Sequence, residues 1–183
     1  DHRDLHLSIR RQRQMCIRDR IFILSILSSC VNEPRSIGMT TWSDDGNEYK
    51  FHLGTEEAVD VVRKYDELFN NKDWEGAKEI FADTASITYF SGQKVTPADM
   101  IEMSRTRDSA YIANNIDYKW NLQGAFSVDL DPSRGGEHVS ANYYVTYDDG
   151  ENKSSFNSIL RFYIIGDKIV WINQFNQSIL EQE

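Results

Sequence analysis

Four aromatic residues with polar groups could build a binding site in this chain. Tyr65, Tyr89 and Tyr143 each carry a hydroxyl, and Trp120 carries an indole N–H. Such side chains offer a ligand apolar contact area and hydrogen-bond donors together. Aromatic residues at regular spacing also form ordinary cores, in which they pack against one another. The four residues therefore indicate either an aromatic pocket or a packed interior.

Few acidic or imidazole groups are placed for proton transfer, which needs such a group within hydrogen-bond reach of a substrate. Asp66 is expected to face solvent, and His138 is expected to lie on the exposed side of a strand. Gln174 should point inward if it shares a strand face with Val170 and Ile172. A buried amide needs a hydrogen-bond partner, which makes Gln174 a candidate for ligand contact.

The sequence predicts no metal and no cofactor. Cys16 and Cys30 both precede the predicted domain, and the four histidines are scattered, so zinc-ligand spacing is missing. Asp129, Asp131 and Glu137 flank a glycine-rich loop but do not match a twelve-residue calcium loop. An acidic hairpin tip is the expected role of these three residues.

Size and composition indicate one globular domain. The chain has 183 residues, of which 40% are hydrophobic and 12% aromatic. The net charge is −9. Nucleic acid is therefore an unexpected partner, because phosphate binding requires a basic surface.

Three helices are predicted ahead of a sheet. Thr55 is a good N-cap for a helix whose apolar residues recur at helical spacing, and Asp73 caps a short second helix. Residues 85–90 alternate as a strand does. Thr96 and Pro97 begin a third helix that should run to about Asp108.

From Asn115 onward the apolar pattern has period two, with a hairpin signal at residues 148–150 and a last strand at residues 169–176. Helices followed by a meandering sheet predict an α+β fold. The expected shape is a cone-shaped roll, in which about three N-terminal helices pack on a curved, mostly antiparallel sheet. Such a cone leaves an interior cavity suited to a small ligand.

The first 29 residues divide into two parts, both ahead of the predicted tether and domain. Residues 11–20, RQRQMCIRDR, resemble a translated sequencing adapter, so residues 1–20 are interpreted as an artefact, with a natural basic n-region as the alternative. Residues 21–29 contain the apolar run IFILSIL, which is too short to span a bilayer and fits the h-region of a signal peptide.

Cys30 is a predicted lipidation site. Leu27-Ser28-Ser29-Cys30 resembles a bacterial lipobox, and it stands between the apolar run and a polar segment. Acyl chains on Cys30 would hold the protein on a membrane of the cell envelope, facing the periplasm or the exterior. The alternative is a chance cysteine. Residues 30–54 would then form a tether, with a short strand near residues 48–53. The domain would span residues 55–178, and residues 179–183 would form a tail.

The order of elements and several short segments resemble the nuclear transport factor 2-like superfamily, which includes SnoaL-like polyketide cyclases and ketosteroid isomerases. The matching segments are Leu68-Phe69-Asn70, Asp73, Ile80-Phe81-Ala82-Asp83 and Gly166-Asp167-Lys168-Ile169-Val170. The resemblance spans about Thr55 to Ser178. It implies the cone-shaped fold more strongly than any activity, because the matched residues determine fold.

The resemblance also implies positions for catalytic groups. Tyr65 falls where ketosteroid isomerases place an oxyanion donor. Tyr89 stands where they have the general-base aspartate, and Ser158, or Asn157 beside it, stands at the second donor. Polyketide cyclases carry an acid near the end of the last strand, where this chain has the amides Asn173, Gln174 and Asn176. Amides orient a ligand but cannot accept its proton.

The resulting functional hypothesis is an envelope lipoprotein whose SnoaL-like domain binds a small apolar or aromatic ligand, or a protein partner, without catalysis. The alternative is an isomerase, cyclase or dehydratase acting in the cone. The predicted pocket residues are Tyr65, Tyr89, Trp120, Tyr143, Ser158 and Gln174.

A homodimer is a further expectation. Ile169, Trp171 and Phe175 should form an apolar stripe on the outer face of the last strand. Exposed apolar stripes indicate association, and superfamily members often dimerise through that face. The alternative is that the tether covers the stripe.

Overall fold

The computed structural model describes residues 35–41, 46–130 and 135–178. Within these ranges, three helices pack on one face of an eight-stranded sheet, which confirms the predicted α+β cone. The helices are α1 (Glu56–Asn70), α2 (Trp74–Glu79) and α3 (Pro97–Ala113). The strands are β1 (Gly38–Thr40), β2 (Tyr49–Leu53), β3 (Phe81–Thr88), β4 (Lys94–Val95), β5 (Asp117–Asp129), β6 (Glu137–Asp148), β7 (Lys153–Ile165) and β8 (Lys168–Ser178).

The helices begin at the predicted caps. The side chains of Thr55 and Asp73 accept hydrogen bonds from backbone N–H groups three residues later, at the starts of α1 and α2. At α3, Thr96 and Asp99 form a reciprocal capping box ahead of Pro97. α3 continues to Ala113 rather than ending near Asp108, which adds more than one turn to the helix.

The sheet has the strand order β1-β2-β5-β6-β7-β8-β3-β4. Every neighbouring pair is antiparallel except β3 and β8, which are parallel. A register shift interrupts the pairing of β5 with β6 between Leu122 and Gly124. A second interrupts the pairing of β8 with β7, where Trp171 pairs with Tyr163 and Ile169 pairs with Ile164. Bulges of this kind bend a strand and increase its twist, which suits a sheet that curls into a cone.

The core lies between the concave face of this sheet and the helices. Val62 of α1, Phe162 of β7 and Ile172 of β8 are almost fully buried there. Inward residues alternate along β6 and β7, as period-two burial requires. The helical and strand patterns of the sequence therefore converge on one interior.

Part of the predicted tether belongs to the sheet. Residues 38–40 and 49–53 form β1 and β2, and β2 pairs with β5 at His52 and Leu53. The alternation of Tyr49, Phe51 and Leu53 is the local signal for β2. β3 also begins at Phe81, four residues before the predicted start.

A cluster of polar groups that we call the Glu137 clasp joins the start of α1 to the sheet. The Glu137 carboxylate accepts hydrogen bonds from Thr55 N at 2.6 Å, Thr55 Oγ1 at 2.8 Å and Ser127 Oγ at 2.5 Å. Burial alone would raise the pKa of Glu137, but these hydrogen bonds outweigh it and hold the pKa below its usual value. Glu137 therefore anchors a helix, instead of occupying the tip of an acidic hairpin.

Cys30 and residues 1–29 lie outside the described residues, as does the tail at residues 179–183. In the ranges that the structure covers, no helix is long and apolar enough to cross a membrane. The same ranges contain no group of three or more His, Cys, Asp or Glu side chains placed to hold a metal ion.

Candidate functional site

A cavity of about 160 Å³ lies between α1, α3 and the concave face of the sheet. A largely apolar cavity of roughly 150 Å³ is large enough to hold benzene. Of the predicted pocket residues, the structure places five on its wall: Tyr65, Tyr89, Trp120, Tyr143 and Gln174. Apolar side chains such as Ile87, Met100 and Leu160 complete much of the lining.

The aromatic residues of the wall also pack against one another. Tyr65 meets Phe162 edge-on, with ring centroids 5.2 Å apart, and Trp120 meets Tyr143 at 5.5 Å. Trp120 further contacts Phe156 at 6.2 Å. Edge-to-face pairs fix the rings in place. The two interpretations of these aromatics are therefore compatible, since the same rings form the core and the cavity wall.

Tyr143 is the most unusual member of the wall. Its side chain is 2% exposed, and its hydroxyl has no hydrogen-bond partner in the part of the chain that the structure describes. Burial raises the pKa of this hydroxyl, and neighbouring Tyr65 and Asp66 raise it further. The group therefore stays protonated and remains an unused hydrogen-bond donor at the cavity wall.

α1 places Tyr65 and Asp66 on the same wall. Burial raises the pKa of Tyr65 most, and Tyr89 adds to the effect. Burial also raises the pKa of Asp66, although a hydrogen bond from Asn70 offsets part of the shift. Asp66 is half-buried, and it lines the cavity as well as meeting solvent.

α3 contributes an ion pair that the sequence did not reveal. Arg107 donates to Asp108 Oδ1 from Nε at 3.1 Å and from Nη2 at 2.9 Å, and both residues line the cavity. The guanidinium also lies 5.1 Å from the centre of the Tyr118 ring. The spacing of Met100, Ser104 and Arg107 places them on one helical face, and this was the available signal.

Ser158 lies behind the cavity wall instead of on it. It is 1% exposed and donates to Asn176 Oδ1 at 2.8 Å. Gln174 Nε2 donates to the same oxygen at 2.9 Å, while Gln174 itself lines the cavity. Ser158 therefore orients an amide of the wall, and the prediction that it is a wall residue is wrong.

Comparison with known proteins gives structural matches only. No protein-family model matches the sequence, and no curated protein matches it. A candidate ketosteroid isomerase from Kribbella flavida superposes with a TM-score of 0.51 at 15% identity, covering 72% of this chain and 85% of that one. This domain has the nuclear transport factor 2-like fold.

Two further matches have related shapes. An LEH-like epoxide hydrolase from Mycobacterium tuberculosis has a TM-score of 0.52 at 11% identity, over 67% of this chain and 84% of its own. IdmH, a candidate polyketide cyclase from Streptomyces antibioticus, has a TM-score of 0.52 at 13% identity, over 65% and 91%. At such identities, these matches establish the nuclear transport factor 2-like fold and leave the chemistry to this chain's own residues.

The outer face of the nuclear transport factor 2-like domain differs from the predicted stripe. Trp171 is half-buried and stacks on Tyr163 at 5.8 Å, and Phe175 is 50% exposed beneath Arg161. Ile169 is fully buried, so its placement on this face is wrong. The β8 bulge is the reason, because it breaks the strict alternation that would put Ile169 and Trp171 on the same side.

His138 is also less exposed than expected. Its ring lies 4.9 Å from Tyr163 and 5.3 Å from Trp171. Burial lowers the pKa of His138, and nearby Arg161 lowers it further. The imidazole is therefore a neutral member of an aromatic cluster on the outer face.

Proposed function

We propose that this domain binds a small aromatic or apolar molecule that carries an oxygen acceptor. The observation that carries the proposal is the Tyr143 hydroxyl, which is buried on the cavity wall without a partner among the described residues. Leaving a buried hydroxyl unsatisfied costs about 1–3 kcal/mol. An oxygen of a bound ligand would remove this cost, and the aromatic wall would hold the body of the ligand.

A matched pair of probes tests the proposal. 2-Indanone has an aromatic body and a carbonyl oxygen, whereas indane has the same body without the oxygen. We expect 2-indanone to bind more tightly than indane, by roughly 3- to 10-fold, as one neutral hydrogen bond predicts. Isothermal titration calorimetry measures both affinities.

The control is Tyr143→Phe, which should remove the preference for 2-indanone and leave indane binding unchanged. Tyr163→Phe removes a hydroxyl outside the cavity, one that donates to the Gly135 carbonyl at 3.1 Å, and should preserve the preference. The proposal is overturned if 2-indanone does not bind, or if Tyr143→Phe retains the full preference.

Acid–base catalysis of the isomerase, cyclase or dehydratase kind is the second candidate. The observation that favours it is Asp66, a cavity carboxylate whose pKa is raised by burial and which neighbours Tyr65 and Tyr143. A base beside hydroxyl donors could remove a proton next to a carbonyl while the donors stabilise the enolate oxygen. This carboxylate replaces the base that is missing at Tyr89.

Deuterium exchange distinguishes binding from catalysis. In heavy water, a catalytic Asp66 should exchange the protons beside the carbonyl of 2-indanone faster than buffer does, as followed by proton nuclear magnetic resonance. Asp66→Asn should abolish the excess rate and keep the affinity. Binding without excess exchange would leave the domain a binding protein.

Attachment to the cell envelope through Cys30 is part of the proposal and is supported by the lipobox-like sequence alone. Lipidation would place the cavity at a membrane surface, on the periplasmic or outer side. In a bacterial host, the full chain should partition with membranes and Cys30→Ser should not. A membrane-bound Cys30→Ser variant would contradict this assignment.

Association through the outer face is a related proposal, supported by the exposed ring of Phe175. A second copy of the domain or another protein would cover this ring. Sedimentation of the wild type and of Phe175→Ser measures the effect. A homodimer that the substitution leaves intact would argue against this face.

A further inference from the structure

We infer that Arg107 makes the cavity selective for ligands with an anionic oxygen, so that the bound molecule is an aromatic or apolar acid. The inference rests on the proposed function, because it names the ligand class of the same cavity. The structure supports it through the position of the guanidinium, its unused donors and its surroundings.

The guanidinium of Arg107 is held in place before any ligand arrives. Asp108, whose side chain is 16% exposed, accepts two of its N–H groups, and the ring of Tyr118 lies against its face. Arginine loses much rotamer freedom when it binds an anion, and this cost falls when the side chain is already fixed. Arg107 is therefore preorganised at the cavity wall.

Arg107 also keeps free donors. A guanidinium has five N–H groups, and its hydrogen bonds to described residues use only Nε and Nη2. Nη1 donates to none of the described residues. A carboxylate in the cavity could accept from this nitrogen, and charge-assisted bonds of this kind are stronger than neutral ones.

The positive charge of Arg107 acts on the interior of the cavity. Burial is the main influence on Tyr65, Tyr89 and Tyr118 and raises the pKa of each, while Arg107 lowers all three in part. A cation that favours phenolate at three wall positions would favour a ligand anion there as well. Asp66 also lines the cavity and would repel an anion, so the anionic oxygen is expected at Nη1 of Arg107 and away from Asp66.

Two other cations provide matched comparisons. Lys72 also lines the cavity, but it is exposed and lies in the turn after α1. Arg105 is two residues from Arg107 on α3, and its partners are the surface residues Glu75 and Glu102 at 3.9 and 4.0 Å. Arg105 is not among the residues that line the cavity, and the exposed charge of Lys72 should be screened by water and salt more than that of Arg107, whose side chain is 35% exposed.

The experiment uses indane-2-carboxylate and its neutral amide, indane-2-carboxamide, in calorimetric titrations of the full chain. Wild type should prefer the acid by about tenfold or more, the value expected for a charged hydrogen bond. Arg107→Gln should remove that preference while amide binding stays within about twofold, and Arg107→Lys should retain part of it. Arg105→Gln is the matched control and should keep the wild-type preference, whereas Lys72→Gln distinguishes an anion site at Arg107 from one at the cavity rim.

Several outcomes would overturn the inference. Equal binding of acid and amide by wild type is one, and an undiminished preference in Arg107→Gln is another. A preference lost in Lys72→Gln but retained in Arg107→Gln would move the anion site to the rim. If 2-indanone binds in each of these cases, the proposed function stands and only the role of Arg107 fails. If none of the three probes binds, both fail.

Discussion

The Glu137 clasp and the cavity whose wall includes Tyr143 both lie on the concave side of the sheet. They differ in whether their polar groups have hydrogen-bond partners within the protein. In the clasp, one carboxylate accepts three hydrogen bonds within 2.8 Å from Thr55 and Ser127. In the cavity, the Tyr143 hydroxyl has no partner among the described residues, and Asp66 has a raised pKa. Paired groups stabilise the fold, whereas unpaired ones keep binding capacity at a cost in stability.

Gly54→Ala should give the largest loss of stability, because it crowds the clasp. A Cβ at residue 54 would overlap Ser127 Oγ and Glu137 Oε2. We expect the free energy of unfolding to fall by about 3 kcal/mol, as overpacking does. Urea denaturation measures it. Gly124→Ala is the control, since its Cβ would meet nothing within 4 Å. An equal loss of stability in Gly124→Ala would show that crowding of the clasp is not the cause.

Glu137→Ala should cost less, about 2 kcal/mol, because it removes the hydrogen bonds without adding bulk. Ser127, which is 8% exposed, would be left with a buried hydroxyl lacking its acceptor. Glu67→Ala, an exposed glutamate on α1, should change stability by less than about 0.5 kcal/mol. Similar losses for both glutamates in urea denaturation would mean that the clasp contributes nothing beyond surface charge.

Tyr143→Phe should change the free energy of unfolding in the opposite direction and by a smaller amount. Removing a buried hydroxyl that has no described partner should raise the free energy of unfolding of the ligand-free protein by about 1 kcal/mol. Tyr163→Phe removes a hydroxyl that is bonded to Gly135, so it should leave stability unchanged or lower it slightly. Thermal unfolding compares the two. A destabilised Tyr143→Phe would show that the hydroxyl is satisfied in the free protein.

Titration gives the subtlest comparison. The lowered pKa of Glu137 stabilises the fold above the unfolded-state value of about 4.3, and this contribution disappears as pH falls through the lower folded value. The raised pKa of Asp66 has the reverse effect, with a penalty that appears as pH rises through about 3.9.

Glu137→Gln should therefore be less stable than wild type at neutral pH, and Asp66→Asn more stable. Both differences should shrink in acid, where the two carboxyl groups are protonated in the folded and unfolded chains alike. Urea denaturation at several pH values between neutral and acidic measures this convergence. Differences of the same sign at neutral pH would contradict the contrast between the two clusters.

Local sequence signals predicted most of the fold. Capping residues such as Thr96 identified helix starts, and alternation identified the long strands, because both depend on neighbours along the chain. The failures depend on distant contacts. The β8 bulge that buries Ile169 forms against β7, and the end of α3 past Asp108 has no local stop signal before Asn114.

The aromatic residues of the site were predictable from the sequence, whereas its charged residues were not. Tyr65 and Tyr143 stood out because a tyrosine can serve both a core and a pocket. Asp66 and Arg107 did not, because a charged residue on a helix usually faces solvent. Their position on the cavity wall depends on how α1 and α3 sit over the sheet, which no single helix encodes.

The parallel pairing of β3 with β8 has a consequence for assembly of the cavity. The two strands are separated by most of the domain in sequence, and their pairing brings Ile87 beside Ile172. Contacts between distant segments form slowly, because a long loop must first be ordered. β8 also supplies Gln174 to the wall. The cavity is therefore complete only when β3 and β8 are paired, and a ligand that fills it would stabilise this pairing.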